Sequence, residues 1–224
     1  IATDITQKTF IKEANILGKF YNKNIISLYG VCIEDTPFYI VTEPMHQNLR
    51  NYLNRPPTQA EVVKLVDIAI QVTDGMIYLG EQDYIHCDLR AENILLGDHN
   101  TVKIANFHLA QHLNGKKYWI VEKGTRVAIR WTAPEAYTLK RLSIKSDVWS
   151  FGILLWELAT KGKEPYPGMT NAQVLESVSK GYHMPIPRNC PEPFELLMMN
   201  CWKQNEDQRP TFIHIFNILY LPNK

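Results

Sequence analysis

The sequence predicts an α+β fold with a small, partly β lobe and a larger, mainly helical one. Three observations lead there. A few short strand-like runs are followed by segments with helical spacing of apolar residues, the order expected of an α+β domain. A length of 224 residues is enough to bury a substantial core in one or two lobes. The longest apolar run, "VWSFGILLWELA", contains Glu157 and is too short to span a bilayer, so it reads as a helix buried inside the protein.

The elements follow in order. "TDITQKTFIKEANILGKF" carries Phe10, Ala14 and Leu17 at helical spacing, with Gly18 placed to end the helix. "NIISLYGVCI" and "PFYIVTE" are two strands around the turn "EDTP". "NLRNYL" is a short helix stopped by "NRPP". Thr58 with Glu61 forms a capping box for a helix through Val62, Leu65, Val66, Ala69, Val72, Met76 and Leu79. "NILLG" and "VKIAN" form a hairpin around "DHN", and a polar loop follows. Helices are expected near Ser146 to Thr160, Asn171 to Lys180, Glu192 to Lys203 and Pro210 to Leu219, and Thr170 with Gln173 makes another capping box.

The formal net charge of +1 provides no electrostatic case for nucleic acid or an acidic membrane surface. Four scattered cysteines, Cys32, Cys87, Cys190 and Cys201, contain no CxxC pair, which argues against a zinc site or a disulfide framework and fits a reducing compartment. No signal peptide opens the chain. Its first residue is Ile rather than Met, so it reads as a piece of a longer protein.

"HCDLRAEN" is the most informative stretch. His86, Asp88 and Asn93 fit H-x-D-x-x-x-x-N, in which an acid reaches a substrate hydroxyl while a carboxamide further along the loop reaches a magnesium ion. "WTAPEA", "SDVWSFGILLWEL" and "CWKQNEDQRPTF" follow it in order. Through these four segments the chain resembles the catalytic domain of the Src-like cytoplasmic tyrosine kinases along its whole length. "DLRAEN", "IRWTAPE" and "DVWSFGILLWEL" favour the tyrosine over the serine/threonine branch, although Glu92 has a serine/threonine flavour and Ala128 replaces a proline of the substrate shelf.

The resemblance implies a bilobal protein-kinase-like fold, with residues 1–45 as a partial small lobe and 46–224 as the large lobe. It implies ATP and magnesium as cofactors, a protein substrate or partner containing tyrosine, and a cytoplasmic location. Asp88 would accept the tyrosine proton, Arg90 would steady charge between phosphate and substrate, and Asn93 with Asn106 would hold magnesium. Thr42 would be the gatekeeper, Glu43 to Met45 the hinge that meets adenine, and Leu95 and Ala105 the adenine floor and the approach to the metal. Core packing explains these apolar positions equally well. Glu13 would pair with a strand lysine that, counted back, falls just before Ile1. Leu17, Leu28, His86 and Phe107 would tie the lobes together, Asp147 would anchor the catalytic loop, and Glu135 with Arg209 would form a buried ion pair.

Three departures lie where the chemistry is done. In "IANFHLAQ", Asn106 stands where the family has an aspartate, and magnesium prefers charged oxygen ligands to an amide. His108 replaces a glycine whose freedom at positive φ lets the loop move. Cys87 replaces the arginine before the catalytic aspartate and reads as an inert buried thiol. Tyr118 stands at the activating phosphotyrosine position, but both arginine clamps are missing, at Cys87 and Gln111; Lys116, Lys117, Lys123 and Arg126 would offer only looser contacts. Phosphorylation there is therefore expected to leave the loop unchanged. Three functions stay open: a catalytically impaired kinase-like scaffold or allosteric partner with weak or lost magnesium binding, a working kinase tolerating Asn106, and an interaction module that binds no nucleotide.

Overall fold

The computed structural model describes residues 4–34, 37–55, 61–125, 127–188 and 190–220. The first helix, α1 (Asp4–Leu17), is stopped as expected at Gly18, whose N–H donates to the Ala14 carbonyl at 2.9 Å. Strands β1 (Leu28–Cys32) and β2 (Tyr39–Thr42) pair antiparallel, with an irregularity between Leu28 and Gly30. Alternate side chains of this hairpin lie open to solvent: Tyr29, Val31, Tyr39 and Val41 are all exposed.

Two-residue strand β3 (Gln47–Asn48) leads into α2 (Leu49–Leu53), capped by the Asn48 side chain accepting from Asn51 N–H. Helix α3 (Glu61–Glu81) is the long helix expected, while the Thr58 cap lies outside the described residues. After it come β4 (Tyr84–Ile85), β5 (Ile94–Leu96), β6 (Val102–Ile104), β7 (Gln111–His112) and β8 (Trp119–Ile120). The predicted hairpin around Asp98 to Asn100 is β5–β6, and it joins β3 in a three-stranded sheet of order β3-β5-β6. Strand β4 pairs with β7, and β8 pairs with β9 (Arg141–Leu142), which follows the short helix α4 (Glu135–Thr138).

Helix α5 (Ile144–Ala159) is the predicted buried helix. Every residue from Ser146 to Leu158 is buried, as expected of a helix apolar all round. It starts two residues earlier than the sequence suggests because Ser143 is the cap: its Oγ accepts from Lys145 N–H, and Ser146 Oγ accepts from Ser143 N–H. Gly152 lets α7 (Glu192–Cys201) come close, since a Cβ there would lie 2.7 Å from both Cys201 Cβ and Trp202 Nε1. Helix α6 (Asn171–Ser179) carries the Thr170–Gln173 box, and α8 (Phe212–Tyr220) packs on α3. One apolar core runs from Ile16 and Leu17 through Phe107 to Ile215 and Leu219. Among the described residues no helix is long and apolar enough to cross a membrane.

Candidate active site

The loop after β4 is set by α5. Asp147, in the first turn of that helix, accepts from the backbone N–H groups of His86 (2.8 Å) and Cys87 (2.9 Å). These two bonds hold Cys87 at φ 67°, a conformation that costs a side-chain-bearing residue roughly 1–2 kcal/mol. Burial pushes the Asp147 carboxyl up to about 7, against the pull of both N–H donors. Burial likewise lowers His86 to about 4, keeping its ring neutral. The neutral ring has one consistent tautomer, with Nε2–H donating to Ala105 O (3.1 Å) and Nδ1 accepting from Asp88 N–H (3.2 Å). The Cys87 thiol is pushed well above the ordinary cysteine range, by burial first and by Asp147 second, which keeps it protonated.

Asp88 is 3% exposed, and burial raises its pKa while Arg90 and Asn93 oppose the shift. Arg90 reaches Asp88 Oδ1 with Nε at 3.1 Å, reaches Glu92 with its other arm at 2.9 Å, and lies over the Trp131 ring. Asn93 donates its Nδ2 to both the carbonyl and Oδ2 of Asp88, each at 2.7 Å. The structure thus brings the predicted catalytic trio, Asp88, Arg90 and Asn93, into direct contact.

Asn106 extends the same network. It sits at φ 66°, where asparagine is well tolerated, and its Nδ2 donates to Asn93 Oδ1 at 2.9 Å. Its Oδ1 lies 2.5 Å from His108 Nδ1, so that ring nitrogen carries a proton. A chain of hydrogen bonds therefore runs from His108 through Asn106 and Asn93 to Asp88. His108 itself lies in the 3₁₀ turn Phe107–Leu109 and not at positive φ, so replacing glycine strains nothing in this conformation.

This arrangement does not fit magnesium. The two predicted ligands contribute neutral amide oxygens, one already accepting from the other's NH₂ group and the second engaged by His108. A hard cation would share each oxygen with the hydrogen bond it already accepts and would gain no charge from either residue.

Glu13, half-buried, accepts from Phe107 N–H at 2.9 Å, which docks α1 on the turn after Asn106. Burial raises its pKa, countered by His108 and by that N–H. His86 and Phe107, both fully buried, stack edge to face with ring centroids 4.9 Å apart, and Leu17 lies in the same core with Leu28 packed against it. Arg209 grips Glu135 with both arms, at 2.7 and 2.9 Å, as the sequence implied.

The hinge segment is held by its acidic side chain. The Glu43 carboxylate is not free to meet a ligand: its Oε1 accepts from Ser27 N–H (2.7 Å) and pairs with Lys103 Nζ (2.9 Å). Burial pushes its pKa up, but Lys103 and Ser27 outweigh that, and the net shift is down. The Glu43 main chain remains free of these side-chain contacts. Thr42 ends β2 opposite Leu28 with its hydroxyl on Glu43 O, Met45 lays its thioether against Gly97, Leu95 sits in β5 between Asn48 and Lys103, and Ala105 is buried beside His86.

Sequence reasoning missed three residues. Lys103 is 8% exposed, and its only signal was a charge inside an otherwise apolar strand. Glu157, on α5, accepts from Ala91 N–H (3.0 Å) and Trp131 Nε1 (2.9 Å), tying the catalytic loop to the 129–131 turn; burial pushes it up to about 7. Arg141 lies over the Tyr118 ring at 4.0 Å while paired with Glu206, an arrangement with no local signal.

A mainly helical lobe with a buried loop aspartate whose loop is fixed by a helix aspartate, together with a β-hairpin and a docked glutamate helix, has the architecture of a protein-kinase catalytic domain. Residues 1–219 match the family described as protein tyrosine and serine/threonine kinase, and the chain belongs to it. It is similar to the tyrosine-protein kinases SRK3 and SRK2 of Spongilla lacustris, at 45% identity over 214 residues (95% of the chain, 64% of SRK3) and 48% over 204 residues (91% of the chain, 56% of SRK2). It is 42% identical over 219 residues to tyrosine protein-kinase src-1 of Caenorhabditis elegans, covering 95% of the chain and 41% of that protein. The chain therefore spans between 41% and 64% of the length of these relatives.

Proposed function

We propose that this Src-type kinase domain is impaired in phosphoryl transfer and acts mainly as a nucleotide-responsive scaffold or allosteric partner in cytoplasmic signalling. The observation that carries the reading is the pair of hydrogen bonds that engage both candidate ligand oxygens, Asn93 Oδ1 by Asn106 Nδ2 and Asn106 Oδ1 by His108 Nδ1. In this reading residues 1–45 belong to the small lobe and 46–224 to the large lobe, with ATP entering between them at the Glu43–Met45 main chain. Thr42, Leu95 and Ala105 line its way in, and Glu13 keeps α1 docked.

In the residual reaction the terminal phosphoryl group of ATP passes to a tyrosine hydroxyl of a protein substrate. The buried Asp88 carboxylate takes the hydroxyl proton, aided by the raised pKa that burial imposes on it. Asn93 fixes the Asp88 carboxylate through Nδ2, and Arg90 holds its other oxygen and lends positive charge at the substrate edge. Magnesium, if bound, would supply charge neutralisation of the phosphates; the amide donors at 93 and 106 disfavour that.

Two measurements on the full-length protein test the reading. Thermal denaturation with ATP should show stabilisation that magnesium hardly changes, and turnover of ATP on a tyrosine peptide should be slow. Brisk magnesium-dependent turnover would establish a working kinase instead, which the intact Asp88–Arg90–Asn93 geometry favours. Absence of any nucleotide stabilisation would identify a pure interaction module.

A further inference from the structure

The catalytic loop departs from the tyrosine branch at Glu92, between Arg90 and Asn93. Its half-exposed carboxylate lies between two guanidinium groups. Oε2 is 2.9 Å from Arg90 Nη1 and 3.9 Å from Nη1 of Arg50, on α2. An ion pair so open to water adds little to stability. What it fixes is the direction of Arg90, whose mostly buried side chain lies over the Trp131 ring, itself tied by Nε1 to Glu157.

The consequence falls on Asp88, whose two carboxylate oxygens are not alike. Oδ2 accepts from Asn93 Nδ2 at 2.7 Å, whereas the buried Oδ1 accepts no hydrogen bond. Arg90 Nε stands 3.1 Å from Oδ1, within ion-pair distance, but the two are not aligned for a hydrogen bond. A buried carboxylate oxygen beside a guanidinium is ordinarily bonded by it, often through two parallel N–H groups. Here Nη1 is drawn to Glu92, and the guanidinium is held short of that alignment.

We propose that Glu92 is a positioning residue: by holding Arg90 off a bonded pair with Asp88, it leaves Oδ1 as the open acceptor for the tyrosine hydroxyl. The proposal rests on the residual reaction, in which Asp88 takes that proton. The hydroxyl oxygen bonds to the terminal phosphorus of ATP as the bond to ADP breaks, and its proton passes to Oδ1. Arg90 still lends its charge from 3.1 Å. Without Glu92 the guanidinium would close on Oδ1, and the substrate hydroxyl would have to displace a charge-assisted hydrogen bond before its proton could move.

The test labels the arginines of the full-length protein with ¹⁵N and follows the Arg90 Nε–H signal, identified by its loss in Arg90→Lys. In Glu92→Ala the new bond to Asp88 should slow exchange of that proton with water about tenfold or more. Glu92→Gln keeps an acceptor for Nη1 and should stay near the parent. Turnover of a tyrosine peptide reads the consequence. In Glu92→Ala kcat should fall about tenfold or more with KM little changed, and Glu92→Gln should recover most of it. Adding Glu92→Ala to Arg90→Lys should bring no further loss, since Glu92 acts through Arg90. A kcat unchanged in Glu92→Ala, an equal loss with and without Arg90, or an Nε–H that exchanges at the parent's rate in Glu92→Ala overturns the proposal. Absence of turnover in every form would count against the residual reaction alone, and the Nε–H exchange then decides for or against Glu92.

Discussion

Replacing Asn106 by aspartate should make the site respond to magnesium, at a cost visible before any activity is measured. In the native chain Asn106 Nδ2 donates to Asn93 Oδ1 at 2.9 Å, and Asn93 is 4% exposed. Asn106→Asp removes the donor and sets two acceptor oxygens against each other at that distance. A lost hydrogen bond that strands a buried acceptor costs about 1–3 kcal/mol. The His108 Nδ1 proton, already 2.5 Å from Oδ1, would then bond a charged oxygen, which holds the loss to the lower half of that range. For a chain of this length each kcal/mol moves Tm by about 2–4 °C, so the variant should melt roughly 2–8 °C below the parent without metal. Millimolar magnesium should restore the loss in the variant and leave the parent unmoved, because only the variant offers a charged oxygen. Turnover should rise as well, by roughly a hundredfold if the metal supplies even about 3 kcal/mol of transition-state stabilisation, and further with His108→Gly added. Differential scanning fluorimetry with magnesium and with chelator reads the first effect, and a peptide phosphorylation assay the second. A variant as stable as the parent in chelator, and equally indifferent to magnesium, would refute the assigned hydrogen-bond direction and with it the case for impairment.

Three further outcomes are expected. Arg209→Met should cost about 3–5 kcal/mol in urea denaturation, since it strands the 5%-exposed Glu135 and frees carbonyls of Lys145 and Lys203; adding Glu135→Leu should recover much of the loss, and a cost under about 1 kcal/mol would disprove a closed buried pair. Between about pH 4.5 and 6.5 the folded chain keeps protons on Asp147 and Glu157 (each raised to about 7) and lacks one on His86 (lowered to about 4), so it holds a net one more than the unfolded chain; stability should fall with rising pH by on the order of 1 kcal/mol per unit, and Asp147→Asn should flatten that slope, whereas a rise would contradict these shifts. Residues 1–224 in isolation should self-associate through the open Tyr29, Val31, Tyr39 and Val41 face, with Val31→Lys and Val41→Lys reducing it; monomeric sedimentation of the unmodified chain would count against this.

Features set by near neighbours in the chain were readable from the sequence. Helix α1 ends at Gly18, α5 is apolar on all sides, and Thr170 with Gln173 caps α6, because period and cap depend on residues a few positions apart. The loop spacing of Asp88 and Asn93 pointed to a shared site for the same reason, and the family resemblance added Asn106. The sequence also carried the substitutions themselves, an amide at 106 and a thiol at 87. Only folding decided what those groups touch. Whether Asn106 offers its oxygen or its NH₂ to the site depends on Asn93 and His108 meeting it in space. That the Glu43 carboxylate pairs with Lys103, sixty positions away, had no local signal, and Glu157 reaches Ala91 across a similar gap. Such pairings belong to the tertiary structure, because a charge is paired or unpaired only once distant segments have packed.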